Sequence, residues 1–326
     1  MVFSGYKHIW QPEHYHGDRI KPPFFEGWYY KLVDKDKKTT LAIIPAIFKA
    51  KNNPHASVQV LDSHSYKTIY CRYPLSAFTA GKEPFELIIG NNRFTRQSLE
   101  LDIRTESRRL TGKCTFDDLA PWPIKRFSPG AMGWYAFIPF LQCYHAVLSF
   151  DHKIDGSLEL DHRKIDMNQG KGYLEKDWGR GFPNAYIWLQ CNHFKNPGTS
   201  FMLSIAHIPW LNSAFRGLLA GLFLNGRLYR FTTYTGAKVK SLLIAKEHIS
   251  IILQDRNYRL QISARKVDTG TLYGPQGEKF SYCYDESLTS TLALSLQKTG
   301  KRNKTIADLK GSPAAMDING DLNNIT

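Results

Sequence analysis

The sequence predicts an all-β chain divided into two similar domains. Three observations lead there. Apolar and polar residues alternate with a period of two in many short runs, as strands with one buried face require. Dipeptides able to supply positive φ stand between several such runs. No amphipathic helix longer than about three turns can be traced.

The elements follow in order. Residues 26–33 and 39–47 read as strands around a charged turn at 34–38. Residues 56–61 place Val58 and Val60 on one face. Leu99, Leu101 and Ile103 alternate with Glu100, Asp102 and Arg104. Residues 119–139 carry Pro121, Pro123, Pro129 and Pro139 and cannot run as a central strand, so they are expected to wrap over the surface or between domains. Asp155-Gly156 reads as a hairpin turn between 145–153 and 157–161, and Asn225-Gly226 as one between 222–224 and 227–231. Tyr258, Leu260 and Ile262 alternate with Asn257, Arg259 and Gln261. Short helical pieces are expected near 117–119 or 214–220. An internal echo joins Glu26 and Trp28 to Glu175 and Trp178, each Trp being followed by an aromatic strand, 28–33 and 186–192. The echo suggests domains at 1–165, including the Pro-rich connection 119–139, and at 166–326.

Composition narrows the function. The 326 residues include 42% hydrophobic residues, 7 Trp, 17 Tyr and 19 Phe, which excludes disordered, collagenous and coiled-coil chains. Cys71, Cys114, Cys143, Cys191 and Cys283 form no C-x-x-C pair, so they read as scattered buried thiols of a reducing compartment. Residues 1–11 have the character of neither a signal peptide nor a transit peptide, and a cytoplasmic protein is expected. Residues 133–150 lack acidic and basic side chains, but Pro139, Gln142, His145 and an aromatic, β-branched content argue against a spanning helix. The net charge is +14. Its clusters at 35–38, 104–109 and 298–304 match no nucleic-acid motif. No nucleic-acid partner is therefore expected, and the charge reads as a solubilising surface able to touch anionic membranes.

No nucleophile elbow, Walker loop, H-E-x-x-H or dinucleotide fingerprint is present. The glycines at 170–172 and 179–181 lack phosphate-loop spacing and read as turn residues. His14 and His16 could share one face as metal ligands, but no third ligand can be named. An exposed lead-in loop is the better reading, and no metal is expected. The strongest local signal is residues 170–192. There Glu175, Lys176, Asp177 and Arg180 stand among Tyr173, Trp178, Phe182, Tyr186 and Trp188. A carboxylic acid among rings loses hydration and keeps its proton, which suits a general acid. Ring faces can stabilise a developing cation. The competing reading is a structural salt bridge of Asp177 or Glu175 with Lys176 or Arg180. His145, beside Tyr144, is either a proton relay or a satisfied core group.

At these residues the chain resembles the tocopherol cyclase family and its bacterial relatives. The likeness is carried by residues 21–31 (Lys-Pro-Pro-Phe-Phe-Glu-Gly-Trp-Tyr-Tyr-Lys), by Met132-Gly-Trp-Tyr135 with Cys143-Tyr-His145, by 170–192 around Gly-Tyr-Leu-Glu-Lys-Asp-Trp-Gly, and by 224–238. Residues 313–320, Pro-Ala-Ala-Met-Asp-Ile-Asn-Gly, are similar to the family's closing strand. The resemblance implies two tandem lipocalin-like antiparallel β-barrel domains packed against each other, as in carotenoid hydratases. It implies ring closure of a prenylated benzoquinol or related isoprenoid to a chromanol, with vitamin E biosynthesis as the family setting. Acid-catalysed alkene protonation and phenol attack would accomplish this without a cofactor. Carried onto this chain, the acid would be Asp177, then Glu175, then Glu26. Trp28, Tyr30, Trp178, Tyr186 and Trp188 would line the cleft. Tyr144, His145, Asn184, Gln190 or Asn192 would hold the quinol hydroxyls. Alternation allows only one of two sets, Tyr186, Trp188 and Gln190 or Ile187, Leu189 and Cys191, to face the cleft. The alternatives are hydration of an alkene and non-catalytic lipid or isoprenoid carriage. The isoprenoid substrate also makes peripheral membrane contact an expectation.

Overall fold

The period-two patterning becomes two large antiparallel sheets in a computed structural model that describes residues 8–81, 83–210, 213–300 and 303–325. The first sheet begins with β1 (Phe24–Val33), β2 (Thr40–Lys49), β3 (His55–Asp62), β4 (Thr68–Tyr73), β5 (Phe78–Gly81) and β6 (Glu86–Ile89). It continues with β7 (Asn92–Thr95), β8 (Ser98–Arg104) and β9 (Arg109–Asp117). The Pro-rich stretch holds only the two-residue strands β10 (Ile124–Lys125) and β11 (Ser128–Pro129), and a 3-10 turn at Gly133–Phe137. Then come β12 (Cys143–Leu160), β13 (Arg163–Asp166) and β14 (Gly170–Gly179). The strand order is β4-β3-β2-β1-β14-β12-β9-β8-β7-β6-β5.

The second sheet holds β15 (Ala185–Cys191), β16 (Ser200–Trp210), β17 (Ser213–Leu224), β18 (Arg227–Thr232), β19 (Lys238–Ile244) and β20 (His248–Gln254). It is completed by β21 (Tyr258–Arg265), β22 (Gly270–Gln276), β23 (Lys279–Lys298) and β24 (Lys304–Gly320). The order is β18-β17-β16-β15-β24-β23-β21-β20-β19. Both sheets are lipocalin-like, but neither closes into the expected barrel among the described residues: β4 and β5 share no ladder, nor do β18 and β19. Side chains of β3 and β4 reach the backbone of β22. Gln59 Nε2 donates to Tyr273 O at 2.7 Å, and Thr68 Oγ1 donates to Thr271 O at 2.5 Å.

The chain divides into two compact units, Met1–Phe182 with Gly270–Tyr284, and Pro183–Thr269 with Asp285–Thr326. The division expected at 165 thus lies further along, at Phe182. The cause is β14, whose ladders run to β1 on one side and β12 on the other, so residues 166–182 belong with the first sheet. Each unit has its own core. Trp28, Tyr30, Leu32, Val58, Val60, Leu99, Leu101 and Ile103 fill the first, and Ile187, Leu189, Cys191, Leu203, Ile205, Leu260 and Ile262 the second.

The two hairpin signals part company. Asn225 and Gly226, at φ 52° and 74°, form the two-residue turn between β17 and β18. Asp155-Gly156 is no turn: β12 runs straight through it. Gly156 sits at φ 135°, where a Cβ would come within 2.2 Å of Lys113 O, so this glycine answers a close approach of β9. Residues 214–220 lie in β17 rather than in a helix, and no helix is found at 117–119. The five cysteines form no disulfide among the described residues, and against expectation only Cys114 and Cys191 are buried, Cys71 and Cys143 being partly exposed and Cys283 exposed. No helix among the described residues is long and apolar enough to cross a membrane.

Candidate functional site

Strand β14 separates the candidate residues by simple alternation. Tyr173, Glu175 and Asp177 point to one face, and Leu174, Lys176 and Trp178 to the other. The flanking ladders fix the neighbours. His145 of β12 lies directly opposite Asp177, Tyr29 of β1 opposite Glu175, and Glu26 of β1 opposite Trp178.

The core-side face carries a buried clamp. Lys176 and Glu26 are both 0% exposed and form an ion pair. Glu26 also accepts from the backbone N–H of His16 through both oxygens, at 3.0 and 2.9 Å. Burial alone would favour the neutral acid. The Lys176 ammonium and His16 outweigh it and hold Glu26 below the usual carboxylate range. Burial lowers Lys176 to about 8, with Glu26 and Glu13 opposing the shift. The ammonium further contacts Pro12 O at 2.9 Å, His14 O, and His16 Nδ1 at 2.8 Å. It lies 4.8 Å from the Trp28 ring centre and 4.9 Å from that of Trp178. Trp178 in turn stacks between His16, at 4.5 Å, and Tyr144, at 5.5 Å.

This arrangement corrects several expectations. Glu26 is a charge-paired carboxylate, unsuited to donating a proton. The faces of Trp28 and Trp178, expected to await a substrate cation, already hold an ammonium. Tyr30 is a core residue whose hydroxyl donates to Thr95 O at 3.0 Å. Trp28 donates to Glu13 O at 2.9 Å, and the Tyr144 hydroxyl donates to Ile138 O at 2.6 Å. The segment around His14 and His16 is buried against this clamp, not an exposed loop.

The opposite face carries an acid set. His145 Nδ1 is 2.9 Å from Asp177 Oδ1, and its Nε2 is 3.5 Å from Glu175 Oε2. The Tyr173 hydroxyl, fully buried, donates to Glu175 Oε2 at 2.5 Å. Cys143 Sγ stands 3.8 Å from Asp177 Oδ1. Burial would strip His145 of its proton, but Asp177 and Glu175 reverse that and raise it to about 9. Burial first, then Asp177 and Glu175, pushes the Cys143 thiol well up. Of the three side chains, Asp177 is the most open, at 26% against 10% for His145 and 6% for Glu175. Phe25, Phe48, Phe182 and Phe280 make an apolar cluster that includes Cys143. The three acid-set side chains could also hold a cation, since each offers a ligand atom and these lie within 4.8 Å of one another.

In the second unit the two sets on β15 take opposite faces. Ile187, Leu189 and Cys191 enter the apolar core. Tyr186, Trp188 and Gln190 are buried on the other face, where Trp188 stands opposite Asp317 of β24. The Tyr186 hydroxyl donates to Asp317 Oδ2 at 2.5 Å. Asn192 is buried, with its Oδ1 at 2.9 Å from His193 Nδ1. The Asn184 side chain is exposed, at the turn before β15, and lines no buried face.

Sequence reasoning missed Tyr173, Cys143 and Asp317 as partners and misassigned Lys176. Alternation was the available signal for two of them: Tyr173 and Glu175 share a face two residues apart, and Lys176 cannot face the neighbours of Glu175 and Asp177.

The chain was compared with known proteins. A family model described as tocopherol cyclase-like matches residues 104–320. A probable chloroplastic tocopherol cyclase of Oryza sativa subsp. japonica is 28% identical over 200 residues, 58% of this chain and 42% of that protein. A chloroplastic tocopherol cyclase of Zea mays is 22% identical over 281 residues, 68% of this chain and 58% of that protein. The chain thus spans about half the length of these curated relatives. Among solved structures, CghA aligns with a TM-score of 0.57 at 8% identity over 93% of this chain and 90% of that one. Kievitone hydratase from Nectria haematococca aligns at 0.54 and 12% identity, over 92% and 90%. At such identities these likenesses speak for the fold alone.

Proposed function

The chain belongs to the tocopherol cyclase-like family, and from that premise we propose that it closes a chromanol ring on a prenylated benzoquinol or a related isoprenoid. The reaction is a net isomerisation. A proton adds to the trisubstituted alkene of the tail and leaves a tertiary cation. The phenol oxygen forms a C–O bond to that cation, and the phenolic proton returns to the protein. Such chemistry asks for one stored proton, one acceptor to recover it and a site with little water.

The observation that carries the reading is the set of buried His145 and Glu175 with the more open Asp177 on adjacent strands. One proton held on the imidazole between two carboxyl groups can move along the 2.9 Å contact to Asp177. Asp177, the most open member, then protonates the alkene, and His145 regains a proton as the phenol loses its own. Tyr173 fixes Glu175 beside His145, so that a second carboxyl group lies 3.5 Å from the imidazole Nε2 opposite the Asp177 hydrogen bond. Tyr29, Phe25 and Phe182 surround this face with apolar surface suited to an isoprenoid tail.

The test is incubation with a panel of prenylated benzoquinols, followed by mass and retention time. Product of unchanged mass and shifted retention indicates cyclisation. Gain of one water indicates hydration, and binding without product indicates a carrier; either outcome overturns the proposal. Asp177→Asn is expected to lower kcat by roughly 100-fold or more. Full turnover in that variant would remove Asp177 from the role of acid.

A further inference from the structure

The second unit carries a cluster of unpaired buried polar atoms on the sheet face turned away from its apolar core. Asp317 of β24 and Gln190 of β15 occupy adjacent same-face positions, because Gln190 pairs with Ala315 and Trp188 with Asp317. Residues so related stand roughly 7–8 Å apart, within reach of one ligand atom held by both side chains. Tyr186 satisfies Oδ2 of Asp317. Oδ1 of Asp317, and both Oε1 and Nε2 of Gln190, have no hydrogen-bond partner. Yet Gln190 is 0% and Asp317 4% exposed. Buried polar atoms are paired in the great majority of native structures. Three orphans on neighbouring positions of one face mark a place built to be filled.

The chemistry of the filler follows from the orphans. Burial, with Asp285 adding to it, raises Asp317 to about 7 against the opposing pull of the Tyr186 hydroxyl and Lys266. Glu286 of β23 lies directly across the ladder from Asp317. With these acids beside it, the unpaired cluster disfavours an anion. A carboxyl that keeps its proton offers one O–H donor, while the Gln190 amide offers one donor and one acceptor. Together they complement one neutral hydroxyl group, which accepts through its oxygen and donates its own hydrogen. Trp188, on the same face, supplies ring surface for the apolar remainder of such a molecule.

We propose that Asp317 and Gln190 form a second ligand site, which takes the neutral hydroxyl group of an otherwise apolar molecule of the phenol class. The choice of a phenol rests on the function proposed above; the site itself does not. The experiment uses the full chain at pH 6 with a geranylated hydroquinone and, as control, its dimethyl ether. Infrared difference spectra of wild type against Asp317→Asn should show a protonated carboxyl band. The hydroquinone should shift that band and the ether should not. By tryptophan fluorescence, Gln190→Leu should weaken hydroquinone binding about tenfold, roughly the loss of one net hydrogen bond, and leave ether binding unchanged. If Asp317→Asn does not fold, the Gln190→Leu comparison and the band shift in the wild type decide alone. The absence of a protonated carboxyl band, or equal affinity of wild type for hydroquinone and ether, overturns the site. A shifted band without ring closure would keep this site and remove the proposed function. Ring closure with a silent band would do the reverse.

Discussion

The two faces of β14 contrast three consecutive residues, Glu175, Lys176 and Asp177. On the core side Lys176 meets one carboxylate, Glu26, and backbone oxygens of the segment before β1. Each partner is fixed in place, and the result is a clamp. On the other side one imidazole is shared by two carboxyl groups, so one proton serves two acids. A buried ion pair with every partner in place resists change, because removing one member strands the other. A proton shared among three groups can move. The difference teaches that in a strand the sign and number of neighbours on each face, not the local density of charge, separate a scaffold from a reactive set.

The hardest way to break the contrast is to remove the clamp's cation. Lys176→Met should destabilise the protein by about 3–5 kcal/mol, since Glu26 is left charged and buried. Adding Glu26→Leu should recover most of that loss. Asp177→Asn should cost less, about 2–3 kcal/mol at pH 7, because it removes the carboxylate that does most to hold the His145 proton. Urea unfolding of the four proteins reads all three values. Equal losses for Lys176→Met and Asp177→Asn would abolish the distinction between the faces.

The pH dependence comes next in size. His145 is raised from 6.5 to about 9, so the folded protein binds its proton more tightly than the unfolded chain does. The resulting stabilisation, up to about 3 kcal/mol, is complete below pH 6.5 and is lost as pH rises through 9. His145→Gln should remove that part of the slope between pH 6.5 and 9 in denaturant titrations. The clamp works differently: lowering Lys176 to about 8 makes its own contribution rise with pH from 8 upward. An undiminished fall in stability over pH 6.5–9 in His145→Gln would show that the acid set does not hold the proton.

Much of this was legible in the chain itself. Alternation at 28–33, 99–104, 186–192 and 258–262 gave strands where strands stand. Asn225-Gly226 gave its turn, because a two-residue hairpin needs positive φ at both positions. Asp155-Gly156 misled for the opposite reason. Glycine also serves close backbone approach inside a ladder, and only β9, some forty residues earlier in sequence, reveals which use applies. The site divided along the same line. Glu175 and Asp177 drew notice from their ringed surroundings, and His145 from its motif. The register that brings them together depends on pairings between strands far apart in sequence. Asp317 carried no local signal, since its upward shift comes from burial and from Asp285, and burial is a property of the folded sheet.

A smaller effect sharpens the comparison within the acid set. Tyr173→Phe removes one hydrogen bond to a buried carboxyl group and should cost about 1.5–3 kcal/mol. Because Tyr173 acts through Glu175, the change should move the pH profile of kcat more than KM. A variant that raised KM alone would make Tyr173 a binding residue instead.

The finest test concerns Trp178, whose ring belongs to the clamp by alternation but to the expected cleft by sequence motif. Its ring is contacted by the Lys176 ammonium, His16 and Tyr144. Trp178→Phe keeps an apolar ring and weakens the cation–π contact, so stability should fall by about 0.5–1 kcal/mol. If that ring serves Lys176 and no substrate cation, kcat/KM should stay within about twofold of wild type, a difference of roughly 0.4 kcal/mol in transition-state binding. A substrate cation held against Trp178 would lose more than that. The same contact worth about 1 kcal/mol in a dry site would then appear in kcat as a drop of about fivefold or more. The ratio of the stability loss to the rate loss therefore tells which face the ring serves, and a rate loss larger than the stability loss would transfer Trp178 from the clamp to the reactive side.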